Sequence, residues 1–204
     1  MPSLPYLSTE CTFTGLAGVG KSAVAKVLAQ RYSLIHMSAG DYYRALREER
    51  GLKSLLDLEA LAETDPSIDF EIDERTRQFA KANTNFVFDG RLAGWCIPHA
   101  IKFLFTCDDE VRIKRVQKHH GHPSYEAARH ETLTREQSHR ERFRRYYKIE
   151  KFDDEKHFDF VIDTNHPIDE VVDRVVRKIQ SRGRLLTPFA RLVPVHTGPI
   201  ISAR

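Results

Sequence analysis

The run Gly15-Leu16-Ala17-Gly18-Val19-Gly20-Lys21-Ser22 constrains this chain more than any other stretch. It fulfils the pattern G-x-x-x-x-G-K-S, whose physical content is a turn tight enough for successive backbone amides to face one anion. Glycine permits the turn, and the amides and the N-terminus of the next helix converge on phosphate oxygens. Lys21 reaches the terminal phosphates, and the Ser22 hydroxyl suits magnesium. The flanks agree with this reading. Cys11-Thr12-Phe13-Thr14 is a short, half-apolar strand candidate, and after the loop Ala23, Val24, Val27, Leu28 and Tyr32 recur at helical spacing. Strand, loop and helix in that order predict a nucleotide phosphate site built from Gly15, Gly18, Val19, Gly20, Lys21, Ser22 and Ala23. A plain glycine-rich turn with a solvent lysine explains less of this context. The loop alone selects no reaction, since nucleotide switches, ATP-driven modules and small-molecule kinases all use it.

Further strands are expected at residues 34–37, 85–88, 101–105 and 158–162, short and mostly apolar, as strands covered on both faces are. Three helical pieces fill residues 41–81, with breaks near Gly51 and at Asp65-Pro66. Another helix begins at Asp109 and stops at Gly121-His122-Pro123. Ser124 then caps a long, strongly basic helix. After Pro167, Ile168, Val171, Val172, Val175, Val176 and Ile179 form one apolar stripe. Five strands with intervening helices predict an α/β sandwich, with a single core over residues 1–183 and an irregular tail over 184–204. The tail's composition is compatible with wrapping the core, entering a partner or remaining mobile.

With 32 Lys plus Arg against 29 Asp plus Glu, the chain carries a formal charge of +3, too balanced for a polybasic anchor or a histone-like tail. Cys11, Cys96 and Cys107 are odd in number and widely spaced, which suggests neither a disulfide framework nor a zinc knuckle. No run approaches the roughly 20 apolar residues that span a bilayer, so a cytoplasmic protein without membrane contact is expected. His119, His120 and His122 tempt a zinc reading, but a solvated helix end fits their spacing better. Trp95 and the Tyr42-Tyr43 pair suit base stacking and core packing about equally.

Asp89-Gly90-Arg91 follows the third expected strand, where a carboxylate can face magnesium and Gly90 permits close approach; the competing reading is an ordinary Asp-Gly turn. Arg135 and Arg142 are seven apart and so share a helix face. Arg115, one helix earlier, either leans toward donor phosphates or lies on the surface.

With the glycine loop, Ser38-Ala39-Gly40-Asp41, Asp89-Gly90-Arg91-Leu92-Ala93-Gly94-Trp95 and the 134–142 region together, the sequence resembles the nucleoside monophosphate kinases, most closely the short archaeal-type cytidylate kinases. The resemblance runs from the first strand through the last helix. It implies a three-layer α/β/α P-loop kinase with a five-stranded parallel sheet. It also implies an acceptor-binding helical insert at about 38–81 and a lid region at about 119–148. The reaction it implies is transfer of the ATP γ-phosphoryl group to CMP or dCMP, assisted by magnesium at Ser22 and Asp89. Acceptor contacts fall to Ser38, Asp41, Arg44, Arg75, Gly90 and Arg91, and donor contacts to the glycine loop, Arg115 and Thr164. Lys21, Arg91, Arg135 and Arg142 carry the charge of transfer. Bacterial-type relatives place an aspartate that reads cytosine directly after the arginine of Asp-Gly-Arg, where this chain has Leu92. An adenylate-type or broad-specificity kinase therefore stays open. So does an RNA-associated P-loop NTPase or binding module, prompted by the basic helix and the tail; a monomer acting on small nucleotides is favoured.

Overall fold

Residues 86–88 are Phe-Val-Phe, and 103–105 are Phe-Leu-Phe. Side chains of that kind on both faces of a strand need cover on both sides. The computed structural model describes residues 9–183 and supplies that cover. Its parallel sheet runs in the order β2-β3-β1-β4-β5. The strands are β1 (Glu10–Thr14), β2 (Ile35–Ser38), β3 (Phe86–Asp89), β4 (Ile101–Thr106) and β5 (Phe160–Asp163). The register sets Thr12 of β1 opposite Phe88 on one side and Lys102 on the other. On β2, Ser38 faces Asp89. Strand order reverses around β1, and in open parallel sheets that point, at the carboxyl ends of the strands, is where ligands bind.

One face of the sheet is closed by α1 (Lys21–Tyr32) and α8 (Ile168–Ser181). There Phe13, Phe103 and Phe105 pack with Leu28, Val172, Val175 and Ile179, all at or near zero exposure. The rings of Phe13 and Phe105 stack with centroids 4.6 Å apart. Of the six residues expected in the α8 stripe, five are buried, while Ile168, in the first turn, is 40% exposed.

The other face is closed by α4 (Ser67–Ala82), α5 (Ala93–Cys96) and α7 (Tyr125–Tyr147). Phe79, Phe86, Phe88, Ile97, Phe143 and Phe152 form this second core. Trp95 packs here too: its indole N–H donates to the Phe152 carbonyl at 3.0 Å and its ring lies 4.2 Å from that of His157. Tyr42 packs against Phe88 at 6.1 Å. Trp95 and Tyr42 thus follow the packing reading.

Helices α2 (Ala39–Glu49) and α3 (Leu55–Thr64) join α4 between β2 and β3, around Leu46, Leu58, Ala62, Ile68 and Ile72. Both open on a capping box. In α2 the Ser38 hydroxyl accepts from the Asp41 amide while the Asp41 carboxylate accepts from the Ser38 amide; Ser54 and Asp57 repeat the device in α3. Breaks fall where expected, at Gly51, whose φ is 64°, and at Asp65-Pro66. Helix α6 (Asp109–His120) ends on Gly121 in the left-handed region, and Ser124 caps α7 through the Ala127 amide. His119, His120 and His122 lie at that junction, and among the described residues no group of three or more His, Cys, Asp or Glu side chains is arranged to hold a metal.

The structure corrects the sequence expectation at three places. The second, third and fifth strands sit one to two residues further along, at Ile35–Ser38, Phe86–Asp89 and Phe160–Asp163, so Asp89 is the last residue of its strand. Ala23 is exposed, and α1 buries Val24, Ala25, Leu28 and Ala29 instead, because the first turn of the helix opens onto the loop rather than onto the sheet. The four-residue α5 is too short to leave a periodic signal. Residues 1–8 and the tail at 184–204 lie outside the described residues.

Candidate active site

The loop joining β1 to α1 is held from three directions. Gly18 has a φ of 77°, and a Cβ at that position would stand 2.2 Å from the Arg112 carbonyl oxygen on α6, so no other residue fits. From the far side the Thr164 hydroxyl, buried after β5, donates to the Val19 carbonyl at 2.7 Å. Arg115 completes this brace by donating to the Thr164 carbonyl at 2.8 Å. Arg115 and Thr164 therefore meet each other beneath the loop. Val19 is buried, so only its backbone faces the loop's interior.

From α7 comes a contact that sequence spacing does not reveal. Glu136 accepts the Ala17 amide at 3.3 Å and pairs with Arg112 of α6 at 2.7 and 3.1 Å. Both side chains of this pair are almost completely buried. Arg112 also donates to the Ala17 carbonyl at 3.4 Å and to Asp109 at 2.6 Å. One carboxylate–guanidinium pair thus ties α6, α7 and the glycine loop together.

Inside the loop, the Lys21 ammonium donates to the Gly15 and Leu16 carbonyls, each at 2.8 Å. Burial pushes its pKa down to about 8; Asp89 opposes this shift and Arg91 adds to it. Ser22 donates its hydroxyl to Asp89 at 2.9 Å across the end of the sheet. The other Asp89 oxygen faces His36 Nε2 of β2 at 2.8 Å, a partner the sequence reading did not foresee. A hydroxyl and a carboxylate side by side at the loop's exit are hard oxygen donors, the type magnesium takes when it keeps several waters and substrate oxygens. Ser22 and Asp89 are therefore donors of the type that would fit a magnesium ion. Gly90 does provide close approach, but to protein: a Cβ there would lie 2.8 Å from the Ala39 Cβ at the start of α2.

Beyond Gly90 the site is crowded with guanidinium groups. The Arg91 Nη1 donates to His139 Nε2 at 3.1 Å. Burial, then Arg135, pushes the Arg91 pKa down to about 10. Arg135 of α7 is paired with Glu59 of α3 at 2.5 Å, and Arg142, almost wholly buried, lies 2.9 Å from Asp69 of α4. Burial lifts the Asp69 carboxyl to about 6, against the pull of Arg142. Ser138 and Tyr146 add hydrogen bonds to Glu63 at 3.0 and 3.1 Å. Arg135 and Arg142 thus share a face of α7, as their spacing predicts, and that face is seated on α3 and α4. Tyr43 sits in the same contact, its hydroxyl pushed up to about 12 by burial.

Arg44 lies 2.6 Å from Asp41 and is more than half exposed. Arg75 is held by Glu49 and Glu71 at 2.5 and 2.6 Å. Much of the basic character of α7 is neutralised within the fold, because Arg140 pairs with Asp153 at 2.9 Å and Arg144 with Glu150 at 2.9 Å.

A glycine loop between a central parallel strand and its helix, with an acidic residue at the end of the neighbouring strand, defines the P-loop kinase class. Shikimate kinase from Bacteroides thetaiotaomicron superposes with a TM-score of 0.59 over 85% of this chain and 99% of that one, at 11% identity, a likeness of fold. Residues 11–166 match the model of the cytidylate kinase-like family, and the chain belongs to that family. A cytidylate kinase of Methanococcoides burtonii is 38% identical over 167 residues, 82% of this chain and 94% of the relative. That of Halobacterium salinarum is 39% identical over 155 residues, 75% and 79% of the two chains. Among the described residues no helix is long and apolar enough to cross a membrane.

Proposed function

We propose that this protein transfers the γ-phosphoryl group of ATP to CMP and dCMP, giving ADP and the corresponding diphosphates. The observation that carries this reading is the meeting of Lys21, Ser22, Asp89 and Arg91 at the end of β1 and β3, in a chain of the cytidylate kinase-like family. The loop amides and Lys21 hold the β- and γ-phosphates, and the lysine exchanges its two carbonyl partners for phosphate oxygens. Ser22 and Asp89 would hold a magnesium ion, which would neutralise charge on the donor phosphates.

Arg91 and Arg44 secure the acceptor phosphate, with Ser38, Asp41, Arg75 and Gly90 around it, in the helices between β2 and β3. An oxygen of that phosphate attacks the γ-phosphorus in line, and the bond to the bridging oxygen of ADP breaks. Arg135 and Arg142, carried by the lid helix α7, turn from Glu59 and Asp69 toward the charge that develops on the transferred group. Catalysis comes from positioning and electrostatic stabilisation, without a covalent enzyme intermediate.

The test is an acceptor panel: purified protein, magnesium-ATP and, separately, CMP, dCMP, UMP, dUMP, AMP and GMP, with the diphosphates quantified. CMP and dCMP are expected to lead. Exclusive turnover of AMP would replace the cytidylate reading with an adenylate one. ATP hydrolysis stimulated by RNA, without diphosphate formation, would remove the monophosphate-kinase reading altogether.

A further inference from the structure

The arginines gathered at this site are not held alike. Arg44, Arg75, Arg112, Arg135 and Arg142 each have a carboxylate within 4 Å. Arg115, held by Thr164, has none at that distance, and among the described residues neither has Arg91. Its hydrogen-bond partner is the imidazole of His139, and its Nε is sealed from solvent with no partner of its own.

The geometry dictates the state of that imidazole. A guanidinium only donates, so His139 Nε2, 3.1 Å away, must present a lone pair. The ring's other nitrogen, Nδ1, lies 2.5 Å from the Arg135 carbonyl, which only accepts, so Nδ1 carries the proton. Both contacts are satisfied by the neutral Nδ1–H tautomer and by no other form. The surroundings agree: the ring is buried, its edge meets Phe143 at 5.8 Å, and burial together with Arg91, Arg142 and Arg135 holds its pKa well below the usual histidine range.

A neutral acceptor and a carboxylate differ in what they leave behind. Each fixes the direction of a guanidinium. A carboxylate also cancels its charge and must be displaced before a phosphate can take its place, whereas an imidazole leaves the charge whole and the remaining N–H groups available. The imidazole stands on α7 and the arginine follows β3, so the bond joins the lid helix to the loop at the sheet edge.

We infer that His139 is a positioning residue for Arg91: as a neutral acceptor delivered by α7, it aims the acceptor-phosphate guanidinium while keeping its charge uncancelled. The inference rests on the proposed monophosphate-kinase reading, in which Arg91 holds the acceptor phosphate. It adds that acceptor affinity depends on where α7 sits.

Two measurements test it. The first uses the unmodified protein: long-range 1H–15N correlation of the His139 ring is expected to show a neutral imidazole protonated at Nδ1. A ring protonated at Nε2, or at both nitrogens, would overturn the assignment. The second compares His139→Ala with His139→Gln, whose side-chain oxygen can accept from Arg91. The alanine variant loses a hydrogen bond to a charged group and is expected to raise the KM for CMP roughly tenfold or more. The KM for ATP should stay within about twofold, and glutamine should recover most of the loss. Equal defects in the two variants, or parallel rises in both KM values, would refute the positioning role. The controls separate this from the broader reading. Wild-type protein that phosphorylates no nucleoside monophosphate removes the proposed function, whereas active protein with indistinguishable alanine and glutamine variants removes only the role of His139.

Discussion

The Arg112–Glu136 pair gives a sharp test of how this site is held together. The two side chains are 2% and 7% exposed and meet through two hydrogen bonds, while Glu136 also accepts the Ala17 amide of the loop. Glu136→Gln keeps the shape and leaves the buried guanidinium only the exposed Asp109 as a carboxylate partner; Arg112→Met strands a buried carboxylate. Removing one member of such a pair costs about 3–5 kcal/mol. At 2–4 °C per kcal/mol for a chain of this size, each single variant is expected to melt roughly 6–20 °C lower. The double variant Arg112→Met/Glu136→Leu leaves no orphan charge, and replacing a whole buried pair by apolar groups is close to neutral. What remains is the loss of partners for the Ala17 amide and carbonyl, about 1 kcal/mol each. Its cost should therefore be about 2 kcal/mol, far below the sum of the single changes. Urea and thermal unfolding of nucleotide-free protein, followed by circular dichroism, measure all four corners of the cycle. Additive single effects, or single variants that each cost under about 1 kcal/mol, would refute the claim that this pair binds α6, α7 and the loop as one unit.

Other expectations concern the loop and the acceptor side. The free Lys21 has a pKa of about 8, and bound phosphate raises it, so ATP binding takes up a proton above that pH and weakens as pH increases. Titration calorimetry with ATP in chelator should find affinity falling about eightfold between pH 7.5 and pH 9 by one-proton linkage from that pKa, and Lys21→Arg should flatten the profile. A flat wild-type profile would remove Lys21 as the titrating group. In steady-state kinetics, Lys21→Ala is expected to raise the KM for ATP and Arg91→Ala that for CMP; near-normal CMP phosphorylation in folded protein lacking both side chains would contradict the assignments. Gly18→Ala should lose ATP binding and melt lower, because its Cβ would meet the Arg112 carbonyl at 2.2 Å and its φ of 77° disfavours any side chain. An alanine variant with unchanged ATP affinity would show that the loop relaxes freely around α6.

Where an element carries its own period or punctuation, the sequence alone suffices to read it. The valines of α8, the breaks at Gly51 and Asp65-Pro66, and the Ser124 cap are local signals, and the structure follows them. The loop from Gly15 to Ser22 is legible for the same reason, since its turn geometry is written in consecutive backbone positions. What escaped was whatever depends on two distant segments meeting. Nothing around Glu136 tells that its carboxylate reaches the Ala17 amide 119 residues away, and nothing around His36 points to Asp89. Arg135 and Arg142 were legible as one face of a helix, but Glu59 and Asp69 were silent as their partners. Ala23 misled because helical spacing cannot tell a turn that faces the sheet from one that faces the open end of a loop.

The carboxylates of α3 and α4 seated against α7 have a consequence for what this protein ignores. In the absence of nucleotide, Glu59 and Asp69 serve as built-in counter-ions, so the arginines of the basic helix present little net field to the solution. An anion that reaches them must compete with an acid already tethered in place at high local concentration. A lone inorganic phosphate or a passing polyanion competes poorly. In the proposed mechanism a nucleotide that also engages the loop and Arg91 would bring several contacts at once and displace those acids. These tethered acids, together with the lid helix of that mechanism, would shield the site from the abundant anions around it.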